Sequence, residues 1–258
     1  MKKLLILILI ILSVILIYYI FKNDKKTYTA VGDFYANGMN SYNDYRYGYV
    51  KYLRDILEEK DKLKAFSDAY IKNNYSIEKM LNDIKNNDFK TTNGVTTSVK
   101  QVLREADILT ITIGINDLLD RTNIKDIKEL EYVPKKDLDK ELTTIKKDLN
   151  RLILEIKKYS KKDIILVGYY FPNKIDYPNS YYISKKFDAI YKHIANKNDL
   201  KFISSNNTLK YENINEIYPN YKMYKELAKQ ISKNLQIYNI GVIIHSYWID
   251  YDLYRLWR

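Results

Sequence analysis

Three short strings hold the residues best placed to do chemistry: Gly32-Asp33, Gly114-Ile115-Asn116-Asp117 and Gly168-Tyr169. Carboxyls, an amide and a phenol beside glycines can hydrogen-bond a ligand where the backbone turns sharply. A lone Gly-x-Asn-Asp is as often an ordinary turn with an Asn or Asp helix cap. Cysteine is absent, which excludes disulfides, thiol nucleophiles, Fe–S clusters and thiolate zinc sites. His193 and His245 are the only histidines, so a multi-histidine metal centre has no ligand set, and no metal or organic cofactor is expected. His193 sits in a Lys-rich helical segment and reads as an exposed helix residue. His245 reads as a strand or surface residue, and Ser41 as the N-cap of a following helix.

The elements around these strings alternate. Short β-rich runs, Thr27–Val31, Leu109–Ile113 and Ile164–Val167, end at glycine, and Leu63–Phe66 and Lys201–Ile203 are two further candidates. Helical spacing marks Tyr42–Glu59, Ile77–Lys85, Val95–Ala106, Leu138–Tyr159, Ile183–Asn196 and Tyr221–Leu235. In the longest of these, Leu142, Ile145, Leu149, Leu152, Ile153 and Ile156 recur at steps of three and four. The alternation predicts an α/β fold in three layers, a parallel sheet flanked by helices. Such sheets bind ligands at the carboxyl ends of their strands, near the switch in strand order, which is where the three strings fall.

Leu4 to Phe21 is an apolar run interrupted only by Ser13 and flanked by Lys2-Lys3 and Lys25-Lys26. As a helix it would span roughly 27 Å, close to a bilayer core of about 30 Å. Its bulky end, Tyr18-Tyr19-Ile20-Phe21, has no small-residue cleavage site, so residues 1–26 read as one uncleaved transmembrane signal anchor. Lys2 and Lys3 favour an inside N-terminus and an extracytoplasmic domain, a single-pass protein of a bacterial cell membrane. The net charge is +11, but the lysines are scattered along mixed-charge helix faces and form no basic stripe. No nucleic-acid partner is expected. Residues 27–238 read as one domain and 239–258 as an aromatic extension with Trp248, Tyr251, Tyr254 and Trp257.

In order along the chain, Thr29-Ala30-Val31-Gly32-Asp33-Phe34, Ala106 through Gly114-Ile115-Asn116-Asp117, Gly168-Tyr169-Tyr170-Phe171-Pro172 and Asn215-Glu216-Ile217-Tyr218-Pro219-Asn220 resemble the motif blocks of the SGNH/GDSL hydrolases, particularly the membrane-anchored lipase/acylhydrolase-like branch. The resemblance implies a flavodoxin-like sheet and ester cleavage by a serine, a histidine and an aspartate with an oxyanion hole. Carried over by position, the nucleophile falls on Phe34, the base on Tyr218 and the orienting acid on Asn215. None can do its job: Phe has no heteroatom, a phenol is a poor base at neutral pH, and Asn is not a carboxylate. Asn116 matches the side-chain oxyanion donor, and Asp33 and Asp117 match turn-shaping residues. A looser alignment puts Asp68 at the family's glycine donor.

The expectation is an SGNH-like pseudoenzyme at the cell surface, with Asp33, Asp68, Gly114, Asn116, Asp117 and Tyr169 around a cleft for an acyl ester, a glycan or a protein ligand, and with the lipid bilayer as partner of Leu4 to Phe21. Two alternatives stand beside it. One is an active esterase using a displaced nucleophile such as Ser41 with His245, and the other is a structural subunit of an envelope complex.

Overall fold

The computed structural model describes residues 11–16, 25–40, 47–92, 94–171, 175–208 and 216–235. Five parallel strands form the sheet: β1 (Lys26–Gly32), β2 (Leu63–Ile71), β5 (Ile108–Thr112), β6 (Asp163–Val167) and β7 (Lys201–Ile203). Their spatial order is β2-β1-β5-β6-β7. The chain moves one way from β1 to β2 and then back across to β5, so the switch in strand order lies between β1 and β5. The carboxyl ends of those strands meet there, with Gly32 opposite Thr112.

β5 is buried along its whole length, which its Ile-Leu-Thr-Ile-Thr sequence allows because it lies between two strands and two helix layers. Helices α3 (Ile77–Asn86), α5 (Ile115–Thr122), α6 (Lys135–Ile156) and α7 (Pro178–Asn198) pack together, with α3, α5 and α7 each against α6, and α2 (Tyr49–Glu59) packs along α9 (Tyr221–Asn234). On α6 the apolar stripe from Leu138 to Ile156 is buried. Short helices α1 (Phe34–Asn37) and α8 (Ser205–Thr208) follow β1 and β7.

Several elements depart from the sequence expectation: α2 starts at Tyr49 rather than Tyr42, and α7 at Pro178 rather than Ile183. The helix expected over Val95–Ala106 is helical only as α4 (Val99–Glu105), capped by Ser98, whose hydroxyl accepts from the Gln101 amide at 3.3 Å. The residues before it form β4 (Val95–Ser98), paired antiparallel with β3 (Phe89–Thr92) around Gly94 at φ +78°. The β-branched Val95, Thr96 and Thr97 favour that hairpin. β2 also runs on past Phe66 to Ile71, so its carboxyl end lies five residues later than expected.

Among the described residues no helix is long and apolar enough to cross a membrane. Of the run Leu4 to Phe21 only residues 11–16 are described, and they are helical with exposed apolar side chains.

Candidate functional site

The site is built where β1 and β5 end. Gly114 takes φ +130°, a conformation closed to ordinary L residues, and this lets β5 turn at once into α5. Asp33 caps α1 by accepting from the Tyr35 amide at 3.0 Å, and its own amide donates to the Thr112 carbonyl at 3.1 Å. Its other carboxylate oxygen accepts a hydrogen bond from the Tyr169 hydroxyl, and that hydroxyl in turn accepts from the Ile115 amide at 3.2 Å. The sequence-expected residues Asp33, Gly114 and Tyr169 are thus joined in one network. Burial pushes the Asp33 carboxyl up to about 8, with the bonds from Tyr169 and Tyr35 opposing the shift.

Asn116 and Asp117 start α5 and point at the loop after β2. Both protons of the Asn116 amide are engaged, with the Asn73 carbonyl at 2.9 Å and the Tyr75 carbonyl at 2.8 Å. The Asp117 carboxylate accepts from the Ile77 amide at 2.9 Å and so ties α5 to the start of α3. Burial raises its carboxyl to about 6. Asp68 is not brought to this place: it lies within β2 and lines a groove on the far side of that strand. Asn73 occupies the strand-end position instead, and its side-chain oxygen accepts from Asn37 at 2.9 Å.

Next to this polar network the packing at the strand ends is aromatic. Phe34, the first residue of α1, is 5% exposed, and its ring meets that of Tyr218 edge-on at 6.1 Å between centroids. Phe171 packs against Tyr218 from another side at 6.3 Å. Tyr35 lies among Tyr169, Phe171 and Tyr224. Residues 184 positions apart are therefore brought together as a hydrocarbon contact. Asn215, Ser41 and His245 lie outside the described residues.

No family model and no curated relative matches the sequence. Among solved structures the chain is similar to an acetylxylan esterase from Geobacillus stearothermophilus, at 17% identity over 81% of this chain and 93% of the esterase, with a TM-score of 0.55. A lipase from a goat rumen metagenome is similar at 17% identity over 81% of this chain and 97% of the lipase, with a TM-score of 0.57. The fold is that of the SGNH/GDSL hydrolases. Variants of the esterase described as catalytic mutants replace a serine, an aspartate and a histidine, the last two separated by two residues.

Within this SGNH/GDSL fold two contributors escaped the sequence reading. The Tyr191 hydroxyl accepts from the Ile113 amide at 2.8 Å and donates to the Ile113 carbonyl at 2.7 Å, holding the last residue before Gly114. Nothing marked it, because it sits in the apolar stripe of α7 with Phe187 and Ile194. Asn73 was hidden by the misplaced end of β2. Among the described residues no group of three or more acidic or histidine side chains could hold a metal ion.

Proposed function

We propose that this chain is a membrane-anchored, extracytoplasmic SGNH-fold protein that binds a ligand or partner at the strand-end face and does not hydrolyse esters. One observation carries the reading: Phe34 and Tyr218, the positions that the family resemblance assigns to nucleophile and base, meet as two rings packed edge to face. No proton can pass between a phenyl ring and a phenol, and no atom of Phe34 can attack a carbonyl. The donors nearby support the same reading. The Asn116 amide protons bind backbone carbonyls and the Ile115 amide binds Tyr169, which leaves these groups committed to holding loops rather than stabilising a developing oxyanion.

The binding half of the proposal rests on the rim. Tyr132 is 88%, Ile175 86% and Tyr221 64% exposed, and they stand before α6, in the β6–α7 connection and at the start of α9, all at the carboxyl end of the sheet. Exposed tyrosine rings and an exposed aliphatic side chain suit sugar faces or acyl chains. The esterase and lipase neighbours suggest an acylated glycan or a lipid ester as the ligand. Anchoring rests on the apolar run Leu4 to Phe21, whose residues 11–16 are helical with their side chains exposed.

The test is hydrolysis of a short activated ester by the full chain in detergent, beside Phe34→Ala and the triple variant Phe34→Ser, Asn215→Asp, Tyr218→His. The unmodified chain and Phe34→Ala should both match buffer. Turnover by the unmodified chain that a serine-directed inhibitor abolishes would overturn the proposal and point to a displaced nucleophile.

A further inference from the structure

We propose that the groove between β2 and the β3–β4 hairpin binds a neutral polyhydroxylated ligand, a short run of sugar units, at a place separate from the strand-end site. The groove has a volume of about 400 Å³, within the range of small-molecule sites. Its walls follow from register. Thr27 pairs with Ala65 and Thr29 with Ser67, so these four side chains share one face of the sheet. The Thr29 hydroxyl donates to the Val102 carbonyl of α4 at 3.4 Å, which marks that face as the one under α4. On the hairpin, Thr92 pairs with Val95 and Lys90 with Thr97, so Thr92, Val95 and Thr97 also share a face, and all three line the groove.

A break in the β2 ladder adds to this wall. Ser67 pairs with Thr29 but Tyr70 with Val31, so β2 carries one residue too many at Asp68 and Ala69. Such bulges re-aim side chains. Ser67, Asp68 and Ala69 all line the groove in succession, where strict alternation would turn every second one away.

What this groove offers differs from the strand-end network, where Asp33, Asn116 and Asp117 are bonded to protein. Among the described residues, the hydroxyls of Thr27, Ser67, Thr92 and Thr97 and the Asp68 carboxylate make no hydrogen bond or ion pair. Each hydroxyl can donate and accept, as a sugar hydroxyl does, and a carboxylate can accept from two at once. The other charged groups are engaged: Arg54 donates to Asp55 at 2.6 and 2.8 Å, and Glu105 accepts from Gln101 at 3.0 Å. Asp68 repels anions and Arg54 is already matched, so a neutral ligand suits the charge. Ala65, Ala69, Val102 and Val95, the last 62% exposed, give the C–H faces of a sugar ring apolar contact.

Hydrogen exchange on the full chain, in a detergent without a sugar headgroup, tests this with xylotetraose and the tetramer of N-acetylglucosamine as probes. With a probe at about four times its dissociation constant, amides within 65–69 and 92–97 should exchange about fivefold slower, because the ligand must leave before those segments open. Ala65→Trp, which fills the groove from an exposed position, and Asp68→Ala should each remove that protection. Both variants should leave the exchange of Ile108–Thr112 unchanged, which reports a folded core. Protection by neither sugar, protection confined to the strand ends, or protection that survives both variants would overturn the proposal. So would protection by an unstructured peptide alone, which would make the groove a strand-docking edge. Ester hydrolysis plays no part in this readout, so the proposal stands or falls separately from the one above.

Discussion

Around Asp33 the strand-end region is polar and closed on itself, whereas one residue further, at Phe34, it becomes a packed set of rings. On the polar side the Asp33, Asn116 and Asp117 side chains bond to protein: Asp33 to Tyr35 and Tyr169, Asn116 to two carbonyls, Asp117 to Ile77. On the aromatic side Phe34, Phe171 and Tyr218 meet edge to face. The difference separates two kinds of site residue. Those that cap a helix or pin a loop are needed by the fold whatever reaction it hosts. The rings at positions 34 and 218 contribute instead by packing against each other and against Phe171.

The largest effect should come from the aromatic side. Phe34→Ala removes a buried ring and should lower stability by about 3–5 kcal/mol, measured by urea unfolding, with no gain of ester cleavage. A loss below about 1 kcal/mol would mean that the rings do not form a packed unit.

The polar side should show itself in pH. Asp33 releases its proton near 4 when unfolded but only near 8 when folded. The folded state therefore holds a proton that the unfolded state gives up between those values. The stabilising contribution is complete below about pH 4 and is lost as pH rises through 8. Asp117, raised to about 6, adds to the same slope at its lower end. Urea midpoints should fall across this window, and Asp33→Asn should flatten the decline; an unchanged slope in that variant would assign the effect elsewhere.

A smaller loss, about 1–3 kcal/mol, is expected for Asn116→Ala, which strips partners from the Asn73 and Tyr75 carbonyls. Thermal unfolding should report it, and Asn116→Asp should not restore it, because a carboxylate cannot donate to those carbonyls. Least of all should Arg151→Ala matter. Its contact with Glu78, at 2.8 Å between side chains that are both more than half exposed, should contribute under about 1 kcal/mol and weaken with salt.

Much of this architecture was legible because period and punctuation agree. Buried β5 and β6 are short apolar runs ended by turn residues, and α6 shows an uninterrupted helical stripe. The edge of the sheet was harder. Ser67-Asp68 looks like the end of a strand, but β2 is only half-buried there and tolerates polar residues, so it continues to Ile71. That error misplaced Asp68 and concealed Asn73. Phe34 and Tyr218 could be nominated by their order along the chain. Their contact could not, because it depends on how α1 and the approach to α9 converge.

The position of β1 has a mechanical consequence. The N-terminal segment feeds directly into Lys26, and β1 lies between β2 and β5, paired to both. Any tension arriving from that end pulls β1 along its own axis and loads both ladders in shear, so their hydrogen bonds must fail together rather than peel one after another. A domain loaded through an inner strand resists force as a unit, and its lifetime under load is set by the unfolding rate of the whole sheet.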